Sequence, residues 1–245
     1  MTSAVLEMSG VSKDYRALRP LRIRRLAVGT AETIAVVGLD LAAAEVFVNL
    51  ITGATLPDAG TICLFGRPTS AIRDSAEWLA VVDRVGIVSA RAVLLERLSI
   101  TQNLAMPFTL DIEPPAEEVR LRAEALAAEV GLSPAMWPKA VADGDASAHA
   151  RVRLARALAL GPALLLLEHA SAALSRDEVD RFGRDVRSIG ERRGIAIVAA
   201  TADDRFAAAV AGRVLVLEAA TGRLVERRRR WFGRRSGRSS CCRSS

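Results

Sequence analysis

Residues 151–174 read RVRLARALALGPALLLLEHASAAL. The first part has helical spacing, and with the residues just before it predicts a helix over 148–160. The next part, 164–167, is four consecutive leucines. A continuous apolar run of that length is a strand covered on both faces, as in a parallel sheet. The same alternation extends outward in both directions. Strands are expected at 5–8, 21–26, 33–37, 61–65, 85–88, 164–167, 195–200 and 214–217. Helices are expected at 43–50, 99–105, 116–130, 148–160, 176–192 and 203–211. Ser175 followed by Glu178 reads as a capping box opening the fifth helix. Strands alternating with helices define an α/β fold with a mixed, mostly parallel sheet and an antiparallel N-terminal β portion. The stretch 92–155 is helix-rich and strand-poor, and reads as a helical subdomain inserted between sheet strands.

The 245 residues are 51% hydrophobic and 25% charged, which excludes a disordered chain and a small disulfide scaffold. No apolar run reaches the ~18–20 residues that cross a bilayer, and the N-terminus lacks a secretory pattern. Cys63, Cys241 and Cys242 have no metal-ligand spacing, a usage that fits a reducing cytoplasm. Of the 34 basic residues only Lys13 and Lys139 are lysines. Eight arginines and no acid fall in 227–245, so a net charge of +6 leaves residues 1–226 at −2. The domain is therefore read as 1–226, followed by a basic, disordered tail. Arg227–Arg238, with Trp231 and Phe232, is a candidate contact for an anionic membrane surface; a solvated tail is the alternative, and nucleic acid fits less well. The cluster Arg16, Arg19, Arg22, Arg24 and Arg25 reads as an exposed strand edge.

Five segments carry a resemblance to a known family: LEMSGVSKDY (6–15), VNLITGATLPDAGTICLFGRP (48–68), LLERLSITQNLAMP (94–107), the 151–174 stretch, and GRVLVLEAATGRLV (212–225). Together they resemble the ATP-binding cassette of an ABC transporter, of the lipoprotein-release or macrolide-export type, over about nine-tenths of the chain. The resemblance implies the P-loop NTPase-like cassette fold, with Tyr15 at the position that stacks on adenine.

The chemistry departs from that pattern. A phosphate loop reads G-x-x-x-x-G-K-[ST]: its glycines let backbone N–H groups curl round phosphates, its lysine neutralises them and its hydroxyl holds Mg²⁺. The corresponding stretch here is Gly38, Leu39, Asp40, Leu41, Ala42, Ala43, Ala44, Glu45, Val46. Only Gly38 remains; Ala44 replaces the lysine and Glu45 the hydroxyl. Losing a charge partner in a desolvated site costs ~2–5 kcal/mol. Glu45, with Asp40, is expected to fill the anion position at the helix N-terminus and repel phosphate. The alternative is a helix-start carboxylate that only stabilises the helix, and both readings predict weak nucleotide binding.

By the same register the Q-loop glutamine falls on Ala90, the signature on Gly144, Asp145, Ala146, Ser147 and Ala148, the two Walker B acids on Glu168 and His169, the D-loop aspartate on Ser175 and the switch histidine on Ala202. Glu168 keeps a carboxylate able to ligate a metal, and His169 reads as a neutral replacement. His149 reads as a solvated side chain. No cofactor is expected beyond Mg-ATP, and that only if the altered loop still binds it.

The family pairs two cassettes head to tail, each composite site using one phosphate loop and the other chain's signature. Here both contributions are altered. The resemblance then implies a pseudo-ATPase subunit, cytoplasmic and peripheral on the membrane's inner face, partnered by a permease and a second cassette. A weak unconventional ATPase using Tyr15 and Glu168, and a soluble scaffold independent of a permease, are the competing readings.

Overall fold

The computed structural model describes residues 4–227. The basic segment from 228 onward, with Cys241, Cys242 and the expected membrane contact, lies outside them. Arg227 itself is paired with Asp204, 2.8 Å away.

Two sheets form the frame. β1 (Ala4–Lys13), β2 (Leu21–Gly29), β4 (Ala59–Leu64) and β5 (Arg67–Pro68) make an antiparallel sheet in the order β2-β1-β4-β5. The larger sheet runs β10-β9-β3-β8-β7-β6, built from β3 (Thr33–Val37), β6 (Val85–Ser89), β7 (Leu164–Glu168), β8 (Ala196–Thr201), β9 (Arg213–Glu218) and β10 (Arg223–Glu226). Its strands are parallel except β10, which returns antiparallel to β9.

The apolar runs now have their reason. Alternate side chains of one strand enter two different cores. Leu165, Leu167, Ile197 and Ala199 pack on one face of the large sheet with the helices that follow β6. Leu164, Leu166, Ala196 and Val198 pack on the other face, against α1 (Leu41–Ile51) and the antiparallel sheet. A strand buried on both sides has no position for a polar residue, so it reads as unbroken hydrophobicity.

α2 (Ser75–Val82) lies between β5 and β6, and between β6 and β7 the chain runs through α3 (Ile100–Ala105), α4 (Glu117–Glu129) and α5 (Ala146–Leu158). α6 (Arg176–Arg193) and α7 (Asp204–Val210) follow. The expected capping box at α6 is present, and Gly194 closes the helix in the left-handed region. α5 rests directly on β6. A Cβ at Gly86 would sit 2.4 Å from the Ala157 carbonyl, so only glycine allows that approach.

One α-helix and two strands escaped sequence reading, α2, β5 and β10, as did three single-turn 3-10 helices. α2 buries no residue fully, so it carries no apolar stripe. Arg22, Arg24 and Arg25 lie exposed on β2, an edge strand of its sheet, as expected of them.

Candidate functional site

The degenerate loop lies between β3 and α1. Gly38, at φ +99°, makes the turn out of β3 in a backbone region that other residues avoid. Asp40 is the N-cap of α1: its carboxylate accepts from the Ala43 N–H at 2.7 Å. Ala44, at the lysine position, is fully buried, and Leu41 is exposed.

The expectation for Glu45 needs correction. α1 starts at Leu41, so Glu45 is beyond the first turn, away from the anion-binding end of the helix. Its carboxylate meets Arg91 instead, at 2.5 Å. Asp40 alone supplies the negative charge at the helix N-terminus.

Arg91 is the residue that sequence reading passed over. It follows Ala90, the Q-loop position, in the segment leaving β6. Its Nε and one terminal nitrogen donate to the two oxygens of Glu168, at 3.0 and 2.6 Å. Its other terminal nitrogen meets Glu45. Its backbone N–H donates to Ser89 Oγ at 3.1 Å. One guanidinium thus bridges α1 and the C-terminal end of β7. Hydrogen bonding to Glu168 raises its pKa above the ordinary arginine value, burial opposes this, and the charges of Glu168 and Glu45 add to the rise. The available signal was an arginine beside the lost glutamine, in a chain with carboxylates at both metal-facing positions.

The remaining positions carry little charge chemistry. Asp145 caps α5, accepting from Ala148 N–H at 2.7 Å, so the signature positions form a helix start without the family's residues. Ala202 is exposed, beside buried Thr201. His169 is buried at φ +45°, and neither its Nε2 nor the buried Ser171 Oγ has a hydrogen-bond partner. His149 is not merely solvated: its Nε2 donates to the Val141 carbonyl at 2.8 Å, tying the start of α5 to the turn before it.

Tyr15 does reach the loop. It lines a cavity of about 540 Å³ with Gly38, Leu39, Asp40, Ala43 and the turn 17–22. Burial and then the Asp40 carboxylate raise its phenol pKa, so the ring stays neutral. Among the described residues no group of three or more His, Cys, Asp or Glu is arranged to hold a metal ion. No helix among them is long and apolar enough to cross a membrane.

These residues do not fit Mg-ATP held in the family's manner. The lysine position is a buried methyl, the loop carries a carboxylate, and a guanidinium lies between the two side chains at the positions that would face Mg²⁺.

No family model matches the chain. Among curated proteins it is 29% identical over 220 residues to a methionine import ATP-binding protein of Brucella abortus, covering 89% of this chain and 58% of that protein. With the corresponding protein of Caulobacter vibrioides it shares 32% over 203 residues, covering 82% and 59%. The chain thus spans about six-tenths of the length of these relatives. They are named for methionine import, so the narrower lipoprotein-release or macrolide-export subtype gains no support from them.

Among solved structures, cbiO1 of Clostridium perfringens, described as part of the ABC transporter complex cbiONQ, superposes with a TM-score of 0.76 at 18% identity, covering 91% of this chain and 87% of that one. The ATP-binding cassette MJ0796, a dimer bound to ADP and Pi, gives 0.75 at 21%, covering 93% and 100%. At these identities the structural likeness speaks for the fold, and the sequence relatives speak for the lineage. By both, the chain resembles the ATP-binding cassettes of ABC transporters and shares their fold.

Proposed function

We propose that this chain is the cassette subunit of an ABC-type membrane transporter, and that it serves its permease and a second cassette as a structural or regulatory partner without hydrolysing ATP. The observation that carries this reading is the Glu45–Arg91–Glu168 bridge. It places a covalently attached cation between the two positions that would otherwise face a metal nucleotide. A guanidinium there pairs with both carboxylates and, being covalently attached, cannot be exchanged.

Docking has a surface available. A groove of about 310 Å³ runs between β6, α5 and the segment after β6, lined by Gly86, Ile87, Pro107, Arg153, Arg156 and Leu160. Arg153 and Arg156 donate to the carbonyls of Ala92 and Val93 and thereby fix that wall. Exposed Leu79, Val93 and Leu160 give apolar area beside it. A permease segment is the proposed occupant, which puts the subunit at the inner face of the membrane.

The test is phosphate release from Mg-ATP by the purified chain, alone and with a co-purified permease. No release above background is expected in either state. Turnover that disappears in Glu168→Ala would sink the reading and favour an unconventional ATPase. Recovery of the chain without any membrane protein would favour a soluble scaffold.

A further inference from the structure

The turn from β1 into β2, with the first half of β2, spans residues 14–25 and holds five arginines and one acid. Arg16, Arg19, Arg22, Arg24 and Arg25 are all exposed. Among the described residues none of the five forms an ion pair. The acid, Asp14, is engaged by the chain itself, accepting the Arg16 backbone N–H at 2.9 Å. On β1, Arg22 lies opposite Ser12 and Arg25 opposite Ser9, so their cross-strand neighbours are uncharged.

The neighbouring strand adds to this charge. The Arg24 N–H donates to the Gly222 carbonyl at 2.7 Å, which sets the start of β10 beside β2. Arg223 is exposed there and is likewise outside every ion pair of the described residues. Glu218, before that turn, is taken by Thr221 Oγ at 2.9 Å. Elsewhere the chain matches its arginines: Arg187, Arg193 and Arg205 each hold a carboxylate.

Leu18 stands in the same turn and is fully exposed. A lone exposed leucine is ordinary on a protein surface. Its setting here is not ordinary: an apolar side chain without packing lies in a stretch of unpaired guanidinium groups.

Unpaired like charges held together attract a polyanion. Leu18 decides which one. Single-stranded nucleic acid is held by stacking on aromatic side chains, and an aliphatic tip gives it nothing to stack on. The one aromatic of this stretch, Tyr15, is half-buried and lines the cavity with Leu39 and Ala43. An anionic bilayer uses both parts of the surface. Its headgroups meet the arginines, and its apolar layer takes the leucine.

We infer that the β1–β2 turn is a lipid contact: Leu18 enters the interface of an anionic membrane while Arg16, Arg19, Arg22, Arg24 and Arg25 pair with its headgroups. The contact requires neither nucleotide nor permease, and it goes beyond the docking role proposed above.

The experiment is flotation of the full chain with vesicles of mixed phosphatidylserine and phosphatidylcholine, beside phosphatidylcholine alone. Binding is expected to the anionic vesicles only, and to weaken in high salt. Arg22→Ala and Arg24→Ala should each lower vesicle affinity about fivefold. Leu18→Ser should lower it about tenfold. Leu18 packs against nothing, so its variants keep the melting temperature of the parent chain. Leu18→Trp gives a reading specific to this turn: its added emission should shift to shorter wavelength on anionic vesicles and be quenched by lipids brominated along their acyl chains. Failure to float with anionic vesicles overturns the inference. So does flotation in which the emission from position 18 is unchanged, or which ignores the arginine variants, because the contact then lies elsewhere, as on the basic segment from 228 onward. So does capture of a single-stranded oligonucleotide that the arginine variants weaken and Leu18→Ser does not, with vesicles left unbound. Phosphate release from Mg-ATP, which decides the pseudo-ATPase reading, is not measured in flotation, so the two fail separately.

Discussion

Glu168 is 5% exposed and receives both its Arg91 hydrogen bonds from a single guanidinium. Removing that donor strands a buried carboxylate. Arg91→Gln is therefore expected to destabilise the chain by about 1–3 kcal/mol, with the melting temperature falling several degrees. Arg91→Lys should recover part of the loss, because a lysine keeps the charge but not the paired geometry. Glu168→Gln in the Arg91→Gln background should cost less than the two single losses added together, since the residues form one network. Thermal denaturation of the four variants checks this. A second expectation concerns Ala44. Restoring the lysine alone, Ala44→Lys, should not yield Mg²⁺-dependent nucleotide binding, because Asp40 and Arg91 remain in place. Calorimetry with Mg-ATP measures it. The bridge was not legible in the sequence: Arg91 and Glu168 are 77 positions apart, and one arginine among many carries no motif.

Element boundaries were set by caps more than by apolar spacing. α1 was expected from residue 43 and begins at Leu41, because Asp40 accepts the Ala43 N–H and so fixes the first turn earlier. That shift of two residues moved Glu45 off the helix end and onto Arg91. Asp40→Ala should cost about 1 kcal/mol, and Asp40→Asn much less, in chemical denaturation. The contact of α5 with β6 is the other place where one residue decides an element's position. Gly86→Ala would force a Cβ to 2.4 Å from the Ala157 carbonyl, and should cost about 1–3 kcal/mol by overpacking, with the denaturant slope unchanged. α2 and β10 were invisible to pattern reading for a shared reason. α2 has no fully buried residue, and β10 is a four-residue edge strand with no buried position, so neither displays a periodic face.

For the molecule as a whole, the surface carboxylates predict the acid limb of stability. Asp58 is held below its usual pKa first by its hydrogen bond from Lys13, Asp180 by that from Arg205, and Glu117 by that from Arg120. A carboxyl lowered on folding contributes stability that is present above its unfolded pKa and lost as pH falls through its folded one. Unfolding midpoints should therefore stay level from about pH 8 to 5 and decline below about pH 4. Added salt should flatten the decline, since these pairs are solvent-facing.

The sequence by itself determined the α/β layers, because strands that feed two cores cannot hide their unbroken hydrophobicity. It also determined the loss of the phosphate-loop lysine, because a substitution within a contiguous motif needs no folding to be seen. The tertiary structure decided what took the motif's place. Which cation meets Glu45 and Glu168 depends on side chains brought together from distant segments by sheet order and helix caps. Charge pairs between distant segments carry no periodicity, and their partners are chosen by distance.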